Sequence, residues 1–203
     1  SNILLKVCNI DQGNVFYKKQ KISELNGEKL DEFRNQVQAI FQDPSASLNP
    51  NQTVEKILSE GISYHKILQS KSQIKSRVIE LLDNVNLNES YLKRYPHQLS
   101  GGQKQRLCIA RAISLNPKLI ICDEAVSALD ISTQHTIIKL LNNLKKQLKL
   151  SYIFITHDLS VARLIADRIL VLKKGEIVEL NNAEKVFKSP KNSYTKKLIS
   201  VLH

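Results

Sequence analysis

The chain has 203 residues and a mass of 23.1 kDa, the size of one domain or of one domain with a sizeable insertion. It is 42% hydrophobic and 24% charged, a globular balance that excludes long disorder, and no apolar run approaches the roughly 18 residues of a membrane span. The net charge is +11, but its lysines are scattered without an arginine stripe or interleaved aromatics, so it reads as a solvated surface rather than a nucleic-acid groove.

The elements follow in chain order. Residues 1–8 carry a helical pattern, with Ile3, Leu4, Leu5 and Val7 close together and none of the features of a secretion signal. Asp11-Gln12-Gly13-Asn14 predicts a turn, Val15-Phe16-Tyr17 a strand, and Asn26-Gly27 a second turn. Val37 to Phe41 predicts a short strand ending at Gln42, and Asp43 to Pro50 has the Ser, Pro and Asn content of a loop. From Thr53 to Tyr95 the period is helical, with Val78, Leu81, Leu82 and Val85 on one face. Pro96 interrupts it, and Ser100 opens a helix through Ile113.

Leu119 to Cys122 predicts a strand buried on both faces. Ile137, Leu141, Leu144 and Leu148 line a helix, and Tyr152 to Ile155 predicts another buried strand. Val161, Leu164 and Ile165 predict a helix; Ile169–Leu172, Gly175 and Ile177–Leu180 predict a hairpin. Short helices are expected at Ala183–Phe187 and Tyr194–Val201. Cys8, Cys108 and Cys122 make no C-x-x-C pair and read as buried thiols. Buried strands alternating with amphipathic helices predict an α/β fold with a mostly parallel sheet, and the helical stretch 43–116 predicts an inserted subdomain.

Two segments carry chemistry. Asp123 ends the apolar run Leu119–Cys122, where open α/β sheets place ligands, and a carboxylate there suits Mg2+. Glu124 follows; in extended backbone its side chain points away from that of Asp123, leaving it to face an attacking water. A strand simply meeting a polar turn gives the same letters. In Leu99-Ser100-Gly101-Gly102-Gln103, Ser100 and Gln103 have capping-box spacing, and two glycines bare the N–H groups of a helix start, an anion site. A plain helix cap is the competing reading.

LSGGQKQR followed by LIICDEAVSALD resembles the ATP-binding-cassette (ABC) ATPase family, as its signature motif and its Walker B strand with D-loop. Gln42 in Ile-Phe-Gln-Asp-Pro matches the family's Q-loop glutamine, and His157 in Phe-Ile-Thr-His-Asp its switch histidine. Phe41-Gln42-Asp43-Pro44 through Pro50, Tyr95-Pro96-His97-Gln98, and Ser189-Pro190 with Tyr194-Thr195-Lys196-Lys197 are similar to the oligopeptide, dipeptide and nickel importer branch. Ala125 stands where a proline is frequent, a mild departure.

The resemblance implies a P-loop NTPase (RecA-like) core over 1–42 and 117–203, with 43–116 as the helical subdomain bearing the signature. It implies ATP and Mg2+, with Glu124 and His157 catalytic and Asp123 and Gln42 serving the metal. Nucleotide contacts are expected from Gln42, Asp123, Ser100, Gly101, Gly102, Gln103, Asp130 and Ser1. Implied partners are a second cassette paired head to tail, membrane permease subunits and, indirectly, an extracytoplasmic solute-binding protein, with no nucleic acid. The place implied is the cytoplasmic face of the bacterial plasma membrane.

None of the six glycines forms the G-x-x-x-x-G-K-[ST] phosphate loop, and there is no methionine. The chain is therefore expected to be cut before or within that loop, with Ser1 aligned to its final serine or threonine. Two readings stay open: the ATPase subunit of an importer, or a degenerate or split cassette that binds a partner without hydrolysing ATP alone. An ABC ATPase of DNA repair or translation is a third, which the positive charge allows but the Q-loop and C-terminal segments disfavour.

Overall fold

A computed structural model describes residues 1–200. The chain forms two compact units, Ser1–Ile153 and Phe154–His203.

The first unit opens on a single turn, not a helix. The Leu5 N–H donates to the Ser1 carbonyl (3.2 Å), and Lys6, at φ 54°, ends the turn at once. One turn fixes several dihedrals for very few hydrogen bonds, and this apolar run is too short to repeat the gain. Strands β1 (Phe16–Tyr17) and β2 (Gln20–Lys21) pair antiparallel. Lys18 and Lys19 make the turn between them, both at positive φ (47° and 65°), as a two-residue hairpin turn demands.

Asn26-Gly27 is the start of a helix rather than an isolated turn: α1 spans Gly27–Gln36. Phe33 is its one buried side chain, packed edge-on against Tyr17 (5.4 Å), so the sequence shows no apolar stripe there. Strand β3 (Val37–Ile40) follows. The expected loop at Asp43 to Pro50 contains a one-turn helix, α2 (Pro44–Ser47), because Asp43 accepts the N–H groups of Ser45 (2.7 Å) and Ala46 (3.2 Å) and Pro44 sits at the first helical position. Residues that favour loops also favour helix starts.

Helices α3 (Val54–Tyr64), α4 (Lys71–Asn84) and α5 (Gly101–Ile113) pack on one another. Their apolar faces supply a core in which Leu58, Ile62, Leu81, Leu82, Leu107 and Ile113 are fully buried, each contributing about 1.5–3 kcal/mol of burial. All the helical and 3-10 elements between Gln42 and Asn116 lie in this stretch, which holds no strand.

Strand β4 (Leu119–Asp123) runs parallel to β3, with Val37 opposite Leu119 and Ile40 opposite Cys122. Ile120, Ile121 and Cys122 are fully buried, as a strand between two covered faces requires. Helix α6 (Ile131–Gln147) buries Ile137, Leu141 and Leu144, and Leu148 caps its end, half-buried. Strand β5 (Ser151–Ile155) completes the order β3-β4-β5. It is not buried on both faces: Ser151 and Ile153 are exposed and the rest half-buried. Its apolar run resembles that of β4, but β5 stands at the end of the sheet order, and position decides burial.

In the second unit Asp158 caps α7 (Leu159–Ile165), which buries Val161 and Ile165 and leaves Leu164 exposed. Strands β6 (Arg168–Lys173) and β7 (Glu176–Asn182) form the expected antiparallel hairpin, turned at Gly175 with φ 84°. Helices α8 (Ala183–Lys188) and α9 (Ser193–Ser200) follow; Val201 lies outside the described residues. Ile169, Val171, Ala183, Val186 and Ile199 form this unit's core. Cys8 is exposed, contrary to expectation; it lies past the turn that Lys6 ends and outside any helix or strand. Cys108 and Cys122 are buried; burial pushes the Cys108 thiol up to about 11, and that of Cys122 further in the same direction.

Candidate functional site

Parallel pairing in register brings two chain segments to one end of the sheet. Gln42 stands two residues past Ile40, and Asp123 and Glu124 follow Cys122, the partner of Ile40. Gln42 is exposed, and Asp123 and Glu124 are half-buried. The Ser1 hydroxyl donates to Oδ2 of Asp123. Asp123, Ser1 and Gln42 thus offer oxygen donors, the set a hard cation takes with water completing its shell. Among the described residues no three His, Cys, Asp or Glu side chains cluster as a cage, and Mg2+ characteristically does without one.

Glu124 departs from the extended geometry that its position after a strand suggests. Its φ is 49°, in the left-handed region, so strand alternation stops at Asp123. For a residue with a Cβ this costs about 1–3 kcal/mol and persists only where the surroundings hold it. Here the Ser127 N–H (3.1 Å) and Ser127 hydroxyl (3.0 Å) both donate to the Glu124 carbonyl. Ala125, the next residue, is buried, and its carbonyl accepts from Nε2 of Gln105 at 2.5 Å.

The start of α5 has the expected capping box. The Ser100 hydroxyl accepts the Gln103 N–H (3.3 Å), and Gln103 Oε1 accepts the Ser100 N–H (2.9 Å). Gln103 Nε2 also donates to the Tyr91 hydroxyl (2.9 Å), and the Arg94 guanidinium lies 4.1 Å above the Tyr91 ring. The two glycines differ. A Cβ on Gly101 would meet Leu129 at 3.8 Å, an ordinary contact, whereas one on Gly102 would stand 2.8 Å from Cγ2 of Thr133. Gly102 is where α5 and α6 approach too closely for a side chain. A cleft of about 450 Å3 opens beside this helix start, lined by Ser100, Gly102, Gln103, Tyr91, Arg106 and Thr133 among others.

Asp130 caps α6. Its carboxylate accepts the Thr133 hydroxyl (2.6 Å), the Thr133 N–H (3.0 Å) and the Ser132 hydroxyl (2.7 Å). These bonds, the Thr133 hydroxyl foremost, hold its carboxyl well below the usual carboxylate range. The structure therefore gives Asp130 a local partner set at a helix start that touches the Gly102 turn through Thr133. His157 lies exposed just past β5, in the second unit, where Thr156 accepts the Asp158 N–H (3.0 Å) and Asp158 caps α7 with the Ser160 N–H at 2.8 Å.

Ser1, Gln42, Asp123 and Glu124 thus gather at one end of β3 and β4, and Ser100 to Gln103 with Asp130 at the adjoining starts of α5 and α6. Sequence reasoning missed Tyr91, Gln105, Ser127 and Thr133. Tyr91, Gln105 and Thr133 act through contacts distant in sequence, whereas Ser127 closes a turn on Glu124 three residues before it; Gln105 alone gave a hint, as a polar residue on an otherwise buried helix face.

The ABC transporter family matches residues 1–127. The chain belongs to that family, and its α/β fold is that of an ATP-binding cassette. It is 45% identical over 199 residues to the oligopeptide transport ATP-binding protein OppF of Streptococcus mutans, covering 98% of this chain and 65% of that protein. It is 42% identical over 191 residues to the dipeptide transport ATP-binding protein DppF of Lactococcus lactis, covering 94% and 61%. The chain thus spans a little under two thirds of the length of these relatives. Its fold is similar to that of the ATP-binding cassette MJ0796, solved as a dimer in a post-hydrolysis state bound to ADP and Pi, with a TM-score of 0.78 at 30% identity over 90% of this chain and 78% of that one.

Proposed function

We propose that this chain works in the ATP-hydrolysing subunit of a bacterial ABC importer for peptides or a similar small solute. One observation carries the reading: Gln42, Asp123, Glu124 and the Ser1 hydroxyl converge at the end of two parallel strands, in a chain akin to peptide-transport ATP-binding proteins.

ATP supplies the phosphoryl group, and Mg2+ would neutralise charge developing on it. Asp123 would hold the metal, assisted by Gln42 and the Ser1 hydroxyl. Glu124 would accept the proton of the attacking water, and His157 would orient that water against the terminal phosphate. At α5 the bare N–H groups of Gly101 and Gly102, with the Ser100 hydroxyl and Gln103, would face ATP held by a second cassette, where the positive end of the helix favours an anion. Asp130 would fix the start of α6 beside that surface.

In this reading residues 1–42 and 117–203 form the ATPase core, and the helical stretch 43–116 docks on permease subunits fed by a solute-binding protein. Kinship with peptide-transport ATP-binding proteins supports a place at the cytoplasmic face of the membrane.

The test is nucleotide-driven pairing. Full-length Glu124→Gln protein should double its mass in sedimentation when ATP and Mg2+ are added, because bound ATP is not consumed. Adding Ser100→Arg should abolish the doubling while leaving nucleotide affinity of the single cassette within about twofold. A Ser100→Arg protein that pairs normally would contradict the role given to α5.

A further inference from the structure

We propose that Gln105 is a positioning residue for Glu124, holding the turn that carries this carboxylate from the helix that carries Ser100 to Gln103. The proposal rests on the reading of Glu124 as general base. Gln105 lies within α5 and is 1% exposed, and its Nε2 donates to the carbonyl of Ala125 at 2.5 Å. A buried amide is costly unless it is hydrogen-bonded, and a leucine of similar volume would fill the same space without that cost. The amide therefore marks a requirement beyond packing.

The residue it reaches follows Glu124, whose φ of 49° needs external support. Successive carbonyls are fastened from two sides. That of Glu124 takes both the N–H and the hydroxyl of Ser127, a local restraint. That of Ala125 takes Gln105, a restraint from a rigid helix twenty residues earlier in the chain. The first bonds hold the peptide plane that follows Glu124 and the second holds the plane after Ala125, so the turn is pinned on the C-terminal side of the Glu124 Cα. The same bond joins the helix serving one nucleotide to the turn serving the other.

A double-mutant cycle on ATP hydrolysis by the full-length protein tests this. Gln105→Leu should lower kcat about 10- to 100-fold, the order expected for a misplaced catalytic group, with the ATP Kd within twofold of wild type. In a Glu124→Gln background the same change should have no further effect on the residual rate. Unchanged kcat in Gln105→Leu, or effects that multiply in the double variant, would overturn the proposal. If Gln105→Leu does not fold, Gln105→Glu replaces it. Its acid can donate to Ala125 only when protonated, so its kcat relative to wild type should fall as pH rises. A flat ratio would overturn the proposal. Wild-type turnover in Glu124→Gln alone would instead remove the general-base reading itself, so the two failures are distinct.

Discussion

Gly102 shows how a single missing side chain can decide a contact between helices. Alanine is the better helix former by about 0.8–1 kcal/mol, but its Cβ would lie 2.8 Å from Cγ2 of Thr133. Thr133 cannot turn that methyl away freely, because its hydroxyl is bonded to Asp130 at 2.6 Å. Overpacking of this kind costs about 1–3 kcal/mol, which outweighs the propensity gain. Gly102→Ala should therefore lower the urea midpoint, and Thr133→Ser in the same chain should restore it, since serine keeps the hydroxyl and removes the methyl. A Gly102→Ala protein as stable as wild type would contradict the close approach. The sequence motif pointed to Gly102 for the anion it could face; the packing reason became visible only with α6 in place.

At the scale of elements, legibility followed locality. The start of α5 was readable because Ser100 and Gln103 satisfy each other within four residues, and β4 because three successive fully buried residues leave a continuous apolar run. Helix α1 was missed because only Phe33 is buried on it, and α2 because its cap residues read as loop. Glu124 was misread for a related reason: alternation along a strand is a local rule, and the left-handed turn is held by Ser127 and Gln105 from outside it.

The start of α6 offers a prediction at this scale. The hydrogen bonds from Thr133 and Ser132 depress the Asp130 pKa in the folded chain, so its contribution to stability is present above the ordinary aspartate value of about 3.9 and is lost as pH falls through the depressed value. The difference in urea midpoint between wild type and Asp130→Ala should be constant at neutral pH and shrink below about pH 4. A difference independent of pH down to acid unfolding would contradict the cap.

For the whole molecule, the charge of +11 said little about function, whereas four motifs in order along the chain said much. The family and the strand-end cluster were legible because the chemistry needs fixed residue types at the ends of strands and helices. Their supports were not, since Gln105 and Thr133 reach them from parts of the chain distant in sequence and the turn closed by Ser127 follows a strand whose alternation gives no sign of it. Full-length protein in which Glu124 is replaced by glutamine is the most direct test of the central claim. ATP turnover should fall at least about 100-fold, as loss of a general base entails, while equilibrium binding of ATP stays within about twofold of wild type. Turnover at the wild-type rate with binding intact would contradict the account.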